Sequence, residues 1–326
     1  MARGRVLNGM RPTSKLHLGN YFGSVVNMVQ LQEKYECFYT IVDWHALTTG
    51  YEDTSQLQEN ILDIAIDWFS AGVDPKKCVV FVQSHVKEHA ELHLLLSMFT
   101  PLGWLERVPT YKEQLRELKD RNIHTYGFLG YPLLMAADIL AYKADTVPVG
   151  EDQLPHLELT REVARRFNHL FQPTFPEPQA KLTRVPMLPG VDGRKMSKSY
   201  GNHIPMSASP ETIREKVQQM VTDPARVKKT DPGHPEVCTV AAFYKIFLPA
   251  GVEEVFASCR AGSIGCVACK GRLMELIIER MAPIYKRRLE LEKKPDIIWD
   301  ILKKGAEQAG EVAAKTLYEV RRAMNV

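Results

Sequence analysis

An α/β fold is predicted: a parallel, Rossmann-type sheet domain over residues 1–204, followed by an α-helical domain over 205–326. Two observations predict it. Short β-branched and aromatic runs alternate with longer amphipathic stretches through the first two-thirds of the chain, and these strand signals fade after about Pro205. Val6-Leu7-Asn8-Gly9 is the first strand, followed by a Gly/Pro/Ser loop and a helix expected from about Leu18 to Tyr35. Phe38–Val42 and Val79–Val82 are the next strands. Between them Leu57, Ile61, Ile64, Ala65 and Trp68 recur at helical spacing. A helical insertion is expected around 104–145. Asp145–Val149 then reads as a strand feeding a helix from about Leu157 to Phe167. Beyond Pro205, helices are expected at Glu211–Met220, Gly271–Glu292, Asp296–Lys304 and Glu307–Met324. In such sheets ligands bind at the carboxyl ends of the strands.

Composition narrows the classes. Hydrophobic residues make up 45% of 326, enough for a real core. A net charge of +3 excludes a uniformly basic nucleic-acid binder, so any RNA partner must meet local clusters of charge. The amino terminus lacks the apolar stretch of a signal peptide and no long apolar run follows, so the expected location is cytoplasmic. In that reducing compartment six cysteines are not expected to form structural disulfides.

Two segments far apart carry the chemistry. Pro12-Thr13-Ser14-Lys15-Leu16-His17-Leu18-Gly19-Asn20 opens a helix, where free backbone N–H groups and the positive dipole end suit phosphate. Gly19 permits close approach of an adenine ring. Asp192-Gly193-Arg194-Lys195-Met196-Ser197-Lys198-Ser199 places two lysines behind a turn, where they can stabilise a departing diphosphate. Either segment alone is compatible with an ordinary helix start or a solvated basic loop. Together they resemble the HIGH-like and KMSKS signatures of class I aminoacyl-tRNA synthetases, in the right order.

Two further segments resemble the tryptophanyl family in particular: Val149-Gly150-Glu151-Asp152-Gln153 with His156–Arg161, and Tyr131–Leu140. The tyrosyl relatives, the nearest alternative, usually carry Gly-Ser-Asp-Gln at the first. Asp138 is a carboxylate in an apolar helix, where an unpaired charge is costly. An indole N–H donates and cannot accept, so its pocket needs one acceptor, and a site built on that bond rejects phenylalanine. The competing expectation is an Asp paired with a nearby Lys or Arg. The resemblance implies a tryptophan site of Asp138, Tyr131, Met135, Gln153, His45 and Gly9. It implies an ATP site of Arg11, Pro12, Thr13, His17, Gly19, Asn20, Gly150, Glu151, Asp152, Val185 and Lys195–Ser199, with Mg²⁺. Catalytic roles would fall to Lys195, Lys198, Lys112 and His17. In this reading the tryptophan carboxylate attacks the α-phosphate and the tRNA ribose attacks the adenylate, so positioning and charge neutralisation do the work. Ser14 departs from the family, which commonly has glycine there.

Cys238, Cys259, Cys266 and Cys269 form C-x20-C-x6-C-x2-C, four thiols within 32 residues. Zinc is the generic occupant of such a set. A bacterial subset of the tryptophanyl family looks similar here and carries a [4Fe-4S] cluster, which all-thiolate ligation suits, so the cluster is expected over zinc. The resemblance also implies a homodimer and a tRNA(Trp) partner. Candidate RNA contacts are Arg226, Lys228, Lys229, Lys286, Arg287 and Arg288. A small-molecule adenylyltransferase and a cysteine-rich RNA-binding protein are the remaining alternatives.

Overall fold

The structure, a computed structural model, describes residues 4–117, 122–182, 188–198 and 200–326. Five strands, β1 (Arg5–Met10), β2 (Glu36–Ile41), β3 (Val79–Val82), β4 (Thr146–Val149) and β5 (Gln179–Leu182), form one sheet in the order β3-β2-β1-β4-β5. Every adjacent pair is parallel. The order reverses beside β1, because β2 is laid on one side of it and β4 on the other. That reversal opens a crevice at the carboxyl ends of β1 and β4, where Gly9 and Val149–Gly150 sit.

Strand β5 was not expected. It reads Gln-Ala-Lys-Leu, with no apolar run, because it is an edge strand that packs little of its surface. The first helix is shorter than expected. It runs from Leu18 to Leu31 with a π-turn at Tyr21–Val25, and the chain then turns into β2. The helix Leu57–Ala71 buries Ile61, Ile64, Ala65 and Trp68, as their spacing requires, and ends on Gly72 at φ 107°.

The largest correction lies at the carboxyl terminus. Pro295–Met324 is one helix of 30 residues, where a break near Gly305 was expected. Gly305 does not end the helix. A Cβ there would lie 1.9 Å from the Val80 carbonyl oxygen, so glycine lets this helix touch β3.

Contacts divide the chain into two compact units. The sheet unit comprises Met1–Ser14, Met28–Thr183 and Lys294–Val326; the second comprises Lys15–Asn27 and Arg184–Lys293. The expected boundary at 204/205 is therefore not the one the contacts draw, since the terminal helix belongs with the sheet. The core of the sheet unit includes Phe38, Phe81, Leu133, Leu140, Tyr142 and Phe167. The second unit packs the helices Pro210–Gln218, Thr239–Phe247, Val252–Arg260 and Cys266–Leu291 around Ile213, Val217, Phe243, Tyr244, Leu273 and Ile277. Among the described residues no helix is long and apolar enough to cross a membrane.

Candidate active site

In the sheet unit a cavity of about 250 Å³ opens at the carboxyl ends of β1 and β4. That is near the small end of the ~300–1,000 Å³ usual for small-molecule sites. Phe128, Met135, Ile139 and Val147 give it apolar walls, while Gly9, Arg11, His45, Tyr131, Asp138, Asp152, Gln153 and His156 contribute its other sides. The helix Tyr126–Ala141 supplies Phe128, Tyr131, Met135, Asp138 and Ile139 from one face, at spacings of three and four.

Asp138 is 2% exposed and accepts four hydrogen bonds. His45 Nε2 stands 2.9 Å from Oδ2 and His89 Nδ1 2.6 Å from Oδ1, while Gln83 Nε2 lies 2.8 Å from both oxygens. Its partners are thus two histidines and an amide, and not the Lys or Arg of the competing expectation. Burial by itself pushes the Asp138 carboxyl up. The hydrogen bonds from His45 and His89 lead the opposing effects and hold the group below the ordinary carboxylate range. It is an anion in the interior. On the far side of His89, Nε2 meets the Tyr142 hydroxyl at 2.6 Å.

A second polar group lines the same cavity. Thr110 Oγ1 lies 2.7 Å from His156 Nε2 and 3.1 Å from the Tyr131 hydroxyl. Burial first, then the charge of His45, lowers His156 to about 4 against an opposing pull from Asp152, so it is neutral near pH 7. Asp152 and Gln153 belong to an exposed turn, Glu151–Gln153, at the start of the helix Leu154–Leu170. A Cβ on Gly150 would come within 2.5 Å of Oδ1 of the exposed Asp152 side chain, which would have to turn away. Lys112 is exposed on the helix Pro109–Glu117, whose cavity-lining members are Thr110 and Gln114.

The two signatures, distant in sequence, meet inside the second unit. Leu18 N–H donates to the Ile204 carbonyl and Met206 N–H to that of Leu16, forming a short antiparallel bridge of His17 with Pro205. Buried Met196 brings its Cβ within 3.7 Å of a Cβ built on Gly19. Gly19 is also forced by His17, whose Nδ1 would lie 2.9 Å from that added atom. His17 caps its helix: Nδ1 accepts from Asn20 N–H, and Asn20 Oδ1 accepts from His17 N–H. Asn20 is therefore a capping partner through its oxygen, leaving only its amide N–H groups for a phosphate. Burial, then the positive charge of Lys198 and that of His203, lowers His17 to about 4. The ring is neutral, Nδ1 is an acceptor, and the proton sits on Nε2, ready to donate.

The lysine segment is tied down by a residue the sequence did not single out. Asn202, 2% exposed, accepts from Ser197 N–H at 2.8 Å and donates to the Asp192 carboxylate at 2.8 Å and the Lys195 carbonyl at 3.1 Å. Gly190 leaves room for it, since a Cβ there would lie 2.2 Å from Asn202 Nδ2, and Gly193 turns the chain at φ 84°. Lys195 points its side chain outward and Lys198 is half-buried. Arg11, Pro12 and Thr13 follow β1, with Thr13 N–H turned back onto the Arg11 carbonyl, and Ser14 adopts φ 152°. Val185 and Ser199 lie outside the described residues.

Cys238, Cys259, Cys266 and Cys269 stand within electrostatic reach of one another. Among the described residues, however, no three His, Cys, Asp or Glu side chains converge as one metal ion requires. Cys238 holds the N-cap position of the helix Thr239–Phe247 and Cys266 begins Cys266–Leu291, while burial pushes the Cys259 and Cys269 thiols up. Two of the expected RNA-contacting arginines are structural. Arg226 donates to the Lys229 and Ile264 carbonyls and to Cys259 Sγ, and Arg288 is 3% exposed beside Glu292.

A family model described as class I tRNA synthetases (W and Y) matches residues 2–282. A tryptophan–tRNA ligase of Thermotoga maritima is 52% identical, covering 99% of each chain. That of Aquifex aeolicus is 45% identical over 99% of this chain and 100% of its own. Among solved structures, tryptophanyl-tRNA synthetase from Campylobacter jejuni, complexed with ADP and tryptophan, superposes with a TM-score of 0.90 at 36% identity. It covers 99% of this chain and 100% of that one.

Proposed function

The chain belongs to the class I tRNA synthetases for tryptophan and tyrosine, and on that premise we propose that Asp138 reads the indole N–H while Lys195, Lys198 and His17 handle the triphosphate. The overall reaction is that of a tryptophan–tRNA ligase: ATP-dependent activation of L-tryptophan to tryptophanyl-adenylate, then transfer to tRNA(Trp). The observation that carries the assignment of roles is the buried, ionised carboxylate of Asp138 in a cavity whose walls also carry the apolar side chains of Phe128, Met135, Ile139 and Val147.

A carboxylate offers about four acceptor positions, and two of those on Asp138 are occupied by one shared amide of Gln83. Moving that amide onto a single oxygen frees a position for the indole N–H without breaking either histidine bond. Phenylalanine would leave that position empty and is rejected. Met135, Phe128 and Ile139 contact the ring faces, and Gln153 and Tyr131 take the amino group. The tryptophan carboxylate attacks the α-phosphate, forming a P–O bond as the bond to pyrophosphate breaks. Lys195 and Lys198, with the Mg²⁺ that ATP brings, neutralise the charge on the leaving group, and His17 Nε2–H donates to a phosphate oxygen. Lys112, Arg11–Thr13, Gly150–Asp152, Val185 and Ser199 complete the proposed ATP contacts. The terminal ribose hydroxyl of the tRNA then displaces AMP. ATP–pyrophosphate exchange tests this, with tryptophan expected to drive it and tyrosine not. Equal exchange with both would remove Asp138 from amino-acid selection.

The four cysteines are proposed to hold a [4Fe-4S] cluster. What supports the reading is the donor set, four thiols in one neighbourhood, since all-thiolate ligation is what such a cluster requires. The cluster would join the segment before Thr239 to the helix from Cys266 as a structural tie. Iron and acid-labile sulfide in anaerobically purified protein support it; zinc without sulfide overturns it. For tRNA, exposed Lys228, Lys229, Lys286 and Arg287 are the candidate phosphate contacts, within a proposed anticodon-reading region of 205–293. A homodimer is proposed from the family, and the exposed apolar side chains Leu94, Met98 and Leu102, from the end of the helix Glu88–Ser97 to the start of Leu102–Glu106, support it; sedimentation tests it. Because ATP and tRNA are the substrates, the cytoplasm is the proposed compartment.

A further inference from the structure

We infer that His89 and Tyr142, neither of which lines the cavity, set tryptophan specificity by locking Asp138 as an anion with its acceptor fixed in place. This rests on the reading that Asp138 meets the indole N–H. His89 and Tyr142 are both 0% exposed, so each polar atom must be matched within the interior. An ionised Asp138 cannot donate, so His89 Nδ1, 2.6 Å away, carries the proton. Nε2 of a neutral ring is then the acceptor, and the Tyr142 hydroxyl at 2.6 Å donates to it. Every proton has one place. A cationic His89 would instead donate to the Tyr142 oxygen and cancel the charge of Asp138 from the far side. The tyrosine ring is fixed in turn, stacked on Phe38 at 4.5 Å and tilted against Phe81 at 5.6 Å. Burial pushes the Tyr142 hydroxyl well above its ordinary range, with the charges of Asp138 and Glu88 adding to the effect, so it remains a donor.

His89 and Tyr142 are positioning residues, and the test must separate them from mere packing. The probe is β-(benzothiophen-3-yl)alanine, which has the shape of tryptophan with sulfur in place of the N–H. In ATP–pyrophosphate exchange, wild type should prefer tryptophan over this isostere in kcat/KM by about 100-fold or more. Tyr142→Phe, which keeps the ring and its packing, should lower that ratio about five- to tenfold through loss of tryptophan kcat/KM alone. His89→Ala should lower it further, and His89→Asn, whose amide nitrogen falls near the Nδ1 position, should restore part of the loss. If Tyr142→Phe and His89→Ala reduce both substrates equally and keep the ratio, the pair only fills space and the inference fails. If wild type itself accepts the isostere as well as tryptophan, the reading of Asp138 fails first and takes this inference with it.

Discussion

The cavity around Asp138 and the lysine segment, the proposed amino-acid and triphosphate sites, hold opposite charges by opposite means. In the cavity a single negative charge is 2% exposed, and every acceptor position on it is filled by a neutral or histidine donor. In the second unit the charged atoms of Lys195 are left in solvent while the backbone behind them is fixed by a buried amide, Asn202. Selection needs an acceptor that does not move, because discrimination comes from the cost of leaving it unpaired. Neutralising a leaving diphosphate needs cations that can follow a charge as it develops, and a strongly hydrated ammonium on a long stem does that. The rigid element is the side chain in one region and the main chain in the other.

The difference can be broken experimentally. Lys198→Ala should give the largest effect, slowing pyrophosphate exchange about 100- to 1,000-fold at saturating substrates; a loss under tenfold would take Lys198 out of the transition state. Asn202→Ala leaves both lysines in place but unties their backbone, so KM for ATP should rise about tenfold with tryptophan KM unchanged. A tryptophan effect of equal size would mean that the segment does not act on ATP alone. A smaller, graded effect follows from pH. Burial lowers His17 and His156 to about 4, against 6.5 when unfolded, so both rings are neutral in the folded chain above that pH. Between those values the unfolded chain binds more protons, so the melting temperature should fall as pH drops from about 6.5 to about 4 and stay level above. The His17→Gln/His156→Gln double variant should flatten that slope. Asp138 adds its own loss only at lower pH, because its carboxyl is held below the usual range. The smallest effect is expected at Ser14, whose φ of 152° favours glycine. Ser14→Gly should relieve about 1 kcal/mol of strain and raise the melting temperature by about 2 °C.

Much of this arrangement was legible in the sequence, and what was hidden was hidden for physical reasons. Apolar runs marked β1 to β4 because each packs a buried face; edge strand β5 has none to show. Gly305 read as a break because glycine weakens helices in general, whereas its contact with Val80 is visible only once β3 lies beneath it. Asp138 stood out as a charge among apolar residues. His89, Gln83 and Tyr142 did not, because a histidine in the first turn of a helix, a glutamine just past a strand or a tyrosine at a helix end carries no local signal. Asn202 had a weak one, a lone amide a few residues past the lysines. The four cysteines pointed by spacing and resemblance to a [4Fe-4S] cluster over zinc, yet among the described residues no three metal-binding side chains converge.

Calorimetric titration of tryptophan, without ATP, into Asp138→Asn and Lys198→Ala is the most direct test of this division of labour. Tryptophan affinity should fall about 100-fold in Asp138→Asn and stay within about twofold of wild type in Lys198→Ala. Unchanged affinity in Asp138→Asn, or an equal loss in both, would contradict it.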